Sequence, residues 1–583
     1  MAGNTSFDLK LLYRLLKETI PYRLLFWTCL LLAILLAPIN AARPFIVGKM
    51  VDNHILIGDI DGLTFLAWVY VGLTLVNVVM RYSFIYLTAL VGQNVIRDLR
   101  IRVFHKMTSL PLTYFDKTPI GTATTRTVND IETINTVFTQ GVITMLADVL
   151  TIFAVIGMML FTSWRLTMIC LLTLPLMVIA TYIFKEKVRA AYQVVRTQIS
   201  KMNAFLQERI SGMRIVQIFN AEEQEMEKFK QINREYTEAN LNSILYYAVF
   251  YPVVEVISSI AFALLVWWGT KGYWDGLITF GALVAFPMYL AMLFRPVRML
   301  ADKLNTLQMG LVAADRVYTV LDNDIEIPNI GTIKAESVSG DVAFDNVWFS
   351  YVDDEHVIKD LSFNITAGKT LAIVGSTGSG KTTIINLLNR FYEIDKGAIS
   401  IDGANIESYT LDNLRSHFAT VLQDVFLFSG SIYDNITLND PDISKEQVIA
   451  AAKMIGAHDL LAIGEEGYDF QVMERGANLS MGQRQLISFV RALVADPSIL
   501  ILDEATSSID PETESVIQYA IEKLIEQRTS IIIAHRLSTI RHADYILVLD
   551  KGKLVEFGSH EELLKIDGGK YNQLYNIQFA EAV

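Results

Sequence analysis

Over about the first three hundred residues, apolar positions run in long unbroken stretches instead of alternating with polar ones. Six stretches approach the roughly 20 mostly apolar residues that a helix needs to cross a bilayer: about 23–47, 63–87, 137–161, 166–184, 244–268 and 277–294. Lys10, Arg14, Lys17 and Arg23 precede the first stretch, whereas Asp52, Asp59 and Asp61 follow it. Basic flanks stay on the cytoplasmic side, so the N-terminus is predicted to be cytoplasmic. The loops after the second stretch (Arg97, Arg100, Arg102, Lys106) and the fourth (Lys185, Lys187, Arg189) are also basic and are predicted inside. Ile101, Phe104 and Met107 recur at helical spacing in the first of these loops. That periodicity predicts membrane helices continuing into the cytosol. Stretches three and four are joined by little more than Ser163-Trp164-Arg165. Ahead of the first stretch, Leu12, Leu16 and Ile20 lie opposite Lys10, Arg14 and Lys17, which predicts an amphipathic helix over 8–20 at the membrane surface, or a plain solvent-facing one.

Around Asp322–Gly340 the pattern changes to a linker rich in Asp, Asn, Pro, Gly and Ser. Short Val/Ile strands then alternate with helical patterns, as in an α/β domain with a parallel sheet. The predicted division is an all-α membrane domain over 1–321, a linker over 322–340 and an α/β P-loop nucleotide-binding domain over 341–583. Apolar residues make up 52% of the 583, more than a soluble core of this size uses, and lipid is the place for the excess. The formal charge of −13 excludes a protein that wraps nucleic-acid backbones. Cys29 and Cys170 both sit inside apolar runs without metal-ligand spacing and read as buried free thiols. Residues 1–22 lack a cleavable-signal pattern, so the first span is expected to act as its own insertion signal.

Gly375-Ser376-Thr377-Gly378-Ser379-Gly380-Lys381-Thr382, followed by Thr383, lies between a predicted strand at Lys369–Val374 and a helix starting near Gly380. Glycines at this junction let consecutive backbone amides turn inward onto phosphate oxygens, and the helix N-terminus adds its positive field. Lys381 is expected to reach the terminal phosphates, with the Thr382 hydroxyl on magnesium. A second apolar strand from Ser498 ends in Asp503 and Glu504. Asp503 is placed to hold the metal through water and Glu504 to polarise the attacking water. ATP and Mg²⁺ are the cofactors this predicts.

Leu479-Ser480-Met481-Gly482-Gln483 resembles the signature sequence of ATP-binding cassette proteins, and the surrounding motifs appear in that family's order. Gln423, in Val-Leu-Gln-Asp, is similar to the glutamine loop; Ser508-Ile509-Asp510 is similar to the D-loop. His535 follows a strand as the switch histidine does, and Tyr351, in Phe-Ser-Tyr, fits the aromatic that stacks on adenine. The resemblance implies catalytic roles for Glu504, His535 and Gln423, with Gln423 also on the metal and Asp510 at the nucleotide. It further implies that Ser480, Gly482 and Gln483 face the γ-phosphate held by a second subunit, so that ATP joins two cassettes. Met481 stands where the family's commonest signature has Gly, a departure that fits either a tolerated variable position or one chain of an asymmetric heterodimer.

Six spans fused ahead of one cassette resemble a half-size ABC exporter of the multidrug and lipid-flippase type. The resemblance implies coupling helices at Thr113–Ile120 and Ser211–Ala221, with Tyr114, Phe115 and Phe219 as docking aromatics. Ionisable groups inside spans are costly and mark function or helix pairing. Asp148 shares a face with Thr144 and Thr151, and Tyr247, Tyr251, Glu255 and Ser258 form a polar stripe. This set is the expected substrate cavity; the alternative is an interhelical pair with Arg43 or Arg81. The function implied is ATP-driven export of a hydrophobic or amphipathic substrate, drug or lipid, by alternating access in a dimer with a second half-transporter, identical or not. The chain is expected in the cell (inner) membrane with N-terminus and cassette cytoplasmic. An ATP-gated channel or regulatory subunit is the rival reading. Such proteins often lose catalytic groups, whereas Glu504, Gln423 and His535 are kept here. A peptide exporter carrying a leader peptidase is disfavoured, because no N-terminal domain or suitable catalytic cysteine is apparent. Which substrate is carried stays open.

Overall fold

The computed structural model describes residues 8–352, 355–503, 511–534 and 537–578. They form two compact units: residues up to Ser109 with Thr118–Asp324, and Leu110–Lys117 with the chain from Ile325 onward.

The described residues of the first unit form helices joined by short turns, with no strand among them. Its principal helices are Arg23–Met50, Ile60–Ser109, Ile143–Thr162, Trp164–Ser211, Glu222–Trp274 and Phe280–Leu321. At 1.5 Å rise per residue, the 53 residues of Glu222–Trp274 span about 80 Å, far beyond a hydrocarbon core of about 30 Å. The predicted extension of membrane helices past the bilayer is therefore present. Among the described residues, five helical runs are long and apolar enough to cross: Ile20–Ile55, Ile60–Ser109, Ile120–Thr162, Trp164–Ser211 and Glu222–Trp274. The sixth expected span is a shorter apolar segment, Phe280–Pro296, opening the 42-residue helix Phe280–Leu321. Arg295 and Asp302 bring its apolar run to an end. Large apolar side chains such as Trp68 and Leu172 stand more than 70% exposed, which water would penalise and lipid accepts.

The third span is not a uniform helix. Val137–Val142 forms a π-helical turn in which Gly141 leaves helical geometry (φ −94°, ψ −108°), so Asn129–Thr136 and Ile143–Thr162 are separate segments. The core of the unit includes Met159, Cys170, Phe250, Phe286 and Tyr289; both cysteines are buried and free. Helices Arg23–Met50 and Phe280–Leu321 touch backbone to backbone, because a Cβ on Gly281 would lie 2.0 Å from the Gly48 carbonyl oxygen. Asp52 accepts a hydrogen bond from the Gly281 amide at 2.6 Å beside this crossing.

The predicted N-terminal amphipathic helix is Leu9–Lys17, capped by Asp8. Leu15 is buried, and Arg14 donates twice to Asp322 (2.5 and 2.6 Å) while lying 3.8 Å over the Tyr318 ring. This helix is thus clamped to the end of Phe280–Leu321, more specifically than either a free membrane-surface or a free solvent-facing helix.

The second unit holds a six-stranded sheet in the order Lys553–Gly558, Tyr545–Asp550, Thr370–Gly375, Thr529–Ile533, Ile499–Asp503, Phe418–Val421. Its strands are parallel except for the edge strand Lys553–Gly558. A separate antiparallel sheet joins His356–Ile365, Val342–Ser350, Lys396–Ile401 and Ala404–Asn405. The expectation of a parallel sheet thus covers only part of the domain. Strand direction is set by pairing between distant segments, which local composition does not record. The segment Leu110–Lys117, helical over Leu112–Lys117, belongs to this unit although the chain on either side of it belongs to the first.

Candidate nucleotide site

The strand Thr370–Gly375 is buried from Thr370 to Val374 and sits centrally between Tyr545–Asp550 and Thr529–Ile533. The chain then turns through residues 376–380 into the helix Lys381–Leu388. Gly380 caps that helix at φ 106°, a left-handed conformation, with Ile358 close enough (2.8 Å) to exclude a Cβ. The Lys381 ammonium folds back to donate to the Gly375 and Ser376 carbonyls at 2.8 and 3.1 Å, closing the loop. Burial holds the Lys381 amine below its ordinary pKa, opposed by the charge of Asp503. The Ser379 hydroxyl is buried without a hydrogen-bond partner among the described residues. A lysine and an orphaned hydroxyl at a helix N-terminus suit an anion with several acceptor oxygens.

Asp503 ends the strand Ile499–Asp503 at the same sheet edge, where Val421 pairs with Leu502, so Gln423 follows two residues beyond. Thr382 and Gln423 are exposed and Asp503 half-buried. Hydroxyl, amide and carboxylate oxygens are the donor chemistry magnesium takes, and open α/β sheets bind ligands beyond these carboxyl ends. Glu504, Asp510 and His535, the remaining sequence-predicted residues of the site, lie outside the described residues.

Tyr351 stacks edge-on against Phe349 (4.8 Å) and Tyr392 (5.1 Å), and its hydroxyl bonds Thr383 at 3.3 Å, leaving the ring 39% exposed. Ser480 caps the helix Met481–Val494 through a reciprocal box: its hydroxyl accepts from the Gln483 amide (3.1 Å) and Gln483 Oε1 accepts from the Ser480 amide (3.0 Å). Gln483 Nε2 donates to the Leu460 carbonyl at 3.1 Å, so this side chain is engaged in shaping the helix start. Ser480 and Met481 are exposed and Gly482 buried.

The residues expected to line a substrate cavity do not converge. Asp148 pairs with Lys303. Tyr247 lies against Phe184 (5.0 Å) and lines a cavity of about 640 Å³. Glu255 and Ser258 line a different recess, beside Phe294 and Arg295, and the Ser258 hydroxyl bonds the Val254 carbonyl at 2.8 Å. Tyr251 is exposed. Arg43, one expected partner for a membrane carboxylate, instead donates to the Tyr70 hydroxyl at 3.3 Å. Lys303 carried no local sequence signal: it lies beyond the last apolar stretch, 155 residues from Asp148.

Residues 26–297 match the family model of the ABC transporter transmembrane region, and residues 358–507 that of the ABC transporter. The uncharacterized ABC transporter ATP-binding protein YknV of Bacillus subtilis (strain 168) is 40% identical over 581 residues, 98% of this chain and 95% of the relative. The ATP-dependent lipid A-core flippase of Desulfotalea psychrophila is 36% identical, covering 98% of this chain and 99% of its own. The probable multidrug resistance ABC transporter ATP-binding/permease protein YheH of Bacillus subtilis (strain 168) is 38% identical over 89% of this chain and 77% of the relative. With both halves matched in one polypeptide, the chain is a multi-pass membrane protein belonging to the ABC transporter family.

Proposed function

We propose that the chain is an ATP hydrolase that exports a hydrophobic or amphipathic substrate, drug or lipid, and works as a dimer with a second half-transporter. The observation that carries this reading is the closed phosphate loop around Lys381, with Asp503 and Gln423 at the same sheet edge, in a chain whose other unit is made of membrane-length helices. Relatives named as a multidrug transporter and a lipid A-core flippase support the cargo class. The asymmetric basic flanks support a cell-membrane location with the cassette in the cytoplasm.

In this reading the loop amides, Lys381 and the Ser379 hydroxyl hold the phosphates, and Thr382, Gln423 and Asp503 hold Mg²⁺. Tyr351 carries the adenine. Glu504 orients the attacking water, with His535 and Asp510 completing the site. Mg-ATP supplies the phosphoryl bond whose cleavage drives the cycle. The exposed start of Met481–Val494 offers Ser480 and the Gly482 amide to the γ-phosphate held by the partner. The two cassettes close on ATP and part on ADP, because a ligand shifts an equilibrium only by its difference in affinity for the two states.

The test is reconstitution of the full chain in liposomes of phosphatidylethanolamine and phosphatidylglycerol. Flux of ethidium and of an NBD-labelled phosphatidylethanolamine is followed with Mg-ATP, alongside native mass. Expected are steady hydrolysis, vectorial flux of at least one probe and a two-chain mass. Hydrolysis without flux, or ATP-gated bidirectional leak, overturns export in favour of a channel or regulatory subunit.

A further inference from the structure

We infer that the 640 Å³ cavity between the helices Asn129–Thr136, Trp164–Ser211, Glu222–Trp274 and Phe280–Leu321 binds an amphiphile carrying a phosphate headgroup. The inference rests on the export reading and names its substrate class. Four basic side chains line the cavity. Arg316 has a carboxylate in reach, Asp130 at 3.4 Å. Lys185, Arg189 and Arg196 have none within 4 Å among the described residues; the polar neighbour of Arg196 is the Met309 sulfur at 3.9 Å. With Tyr192 these three follow a 4-3-4 spacing, so they form one stripe down a single helix face. Like charges four residues apart destabilise a helix, and an anion lying along the stripe relieves the repulsion.

Lys185 and Arg189 also mark a cytoplasmic flank, but that role does not require the shared face they form with Arg196 toward the cavity. Arg196 lies twelve residues past Phe184, about 18 Å along the helix from the end of the fourth apolar stretch. Charge that sets orientation counts within about 15–20 residues of a span end, which explains why basic residues lie here but not why three of them align with Tyr192 along one wall of the cavity. At the opposite end the wall is aromatic: Phe184 stacks on Phe250 at 3.8 Å and meets the Tyr247 ring edge-on at 5.0 Å. The cavity therefore runs from an apolar end at the membrane to a cationic end in the cytosolic continuation of the helices. A lipid has the same polarity gradient, acyl chain to phosphate. Guanidinium and ammonium groups are the side chains that hold phosphate oxygens by charge-assisted hydrogen bonds. One unpaired carboxylate, Asp302, shares the wall, and burial pushes its carboxyl above the ordinary range, which lessens its repulsion of an anionic guest. A lipophilic cation would meet the three unpaired positive charges instead.

The full chain in phosphatidylcholine nanodiscs, without ATP, is titrated with dioleoyl phosphatidic acid, dioleoylglycerol and glycerol phosphate, and bound ligand is counted by native mass spectrometry. Phosphatidic acid is expected to bind at least about tenfold more tightly than either control, since charged hydrogen bonds are the stronger ones. Arg189→Gln and Arg196→Gln are each expected to weaken it about tenfold, whereas Arg189→Lys keeps most of the affinity. Lys187→Gln, on the opposite face, leaves it unchanged. Wild-type affinity in both glutamine variants overturns the site. Equal binding of dioleoylglycerol overturns the headgroup, and equal binding of glycerol phosphate overturns the amphiphile. A wild-type chain that binds phosphatidic acid but moves neither lipid nor ethidium with ATP sinks the export reading and leaves the site standing.

Discussion

The Tyr392 hydroxyl donates to Asp116 at 2.5 Å, tying the short helix Leu112–Lys117 to the aromatic group beside the phosphate loop. Tyr392 meets Tyr351 edge-on at 5.1 Å, and Tyr351 bonds Thr383 on the helix that follows the loop. Burial, and then the bond to Asp116, hold the Tyr392 phenol above its ordinary pKa, so it stays a neutral donor. A hydrogen bond to a charged acceptor is worth about 1.5–3 kcal/mol. Tyr392→Phe is expected to lower the number of substrates moved per ATP several-fold while KM for ATP shifts less than about twofold, because only the hydroxyl is removed. Paired flux and phosphate-release assays give the ratio; an unchanged ratio means that this link carries no coupling.

Asp148 and Lys303 form a partly buried pair in the membrane unit, their side chains 30% and 18% exposed. Removing one partner leaves the other charge uncompensated, which costs about 3–5 kcal/mol when fully buried and proportionately less here. Lys303→Met is expected to lower the unfolding temperature more than the double variant Asp148→Asn/Lys303→Met does. Thermal unfolding in nanodiscs checks this, and simple additivity would show that the two groups do not stabilise each other.

Gly281→Ala drives a methyl group into the Gly48 carbonyl at a helix crossing. Overpacking of this kind typically costs about 1–3 kcal/mol. Gly72, with open space where a Cβ would go, is the matched control. The expected result is reduced folded yield and unfolding temperature for Gly281→Ala and little change for Gly72→Ala.

Asp544 illustrates a pH effect confined to the cassette. Desolvation raises its pKa, but the Lys369 ammonium and the Thr370 amide, each bonded to the carboxylate, outweigh this and hold it below the ordinary value. A depressed carboxyl contributes stability that is present above its unfolded pKa of about 3.9 and is lost as pH falls through the lower folded value. Asp544→Asn is therefore expected to unfold at a lower temperature than wild type at pH 7, with the gap closing as the pH falls below about 3.9. A gap that persists in acid assigns the effect to shape instead of charge.

The strand-to-helix turn proposed to hold phosphate was legible because it is consecutive: Gly375 to Thr382 form strand end, turn and helix start within one stretch of chain. At Ser480–Gln483 the sequence pointed only to a partner's γ-phosphate; the capping box, and the bond by which Gln483 fixes the helix start to Leu460, came from the structure. The polar residues of the membrane half were not, since a carboxylate in an apolar run announces its cost without naming its partner. Asp148 found Lys303 from a distant helix, and Tyr247 and Glu255, eight residues apart on one helix, open onto different recesses. No local signal marks Tyr392 as the partner of Asp116, 276 residues away.

What the amino-acid order determined alone is whatever reads in one dimension. The length of an apolar run measured against lipid thickness locates a span, and a run of small residues between strand and helix locates a phosphate loop. Only the tertiary structure decided which faces of those helices meet, which strands pair antiparallel, and which cations are left facing a cavity without a carboxylate. Those outcomes depend on side chains far apart in sequence competing for the same few ångströms of space, a competition that the local pattern does not encode.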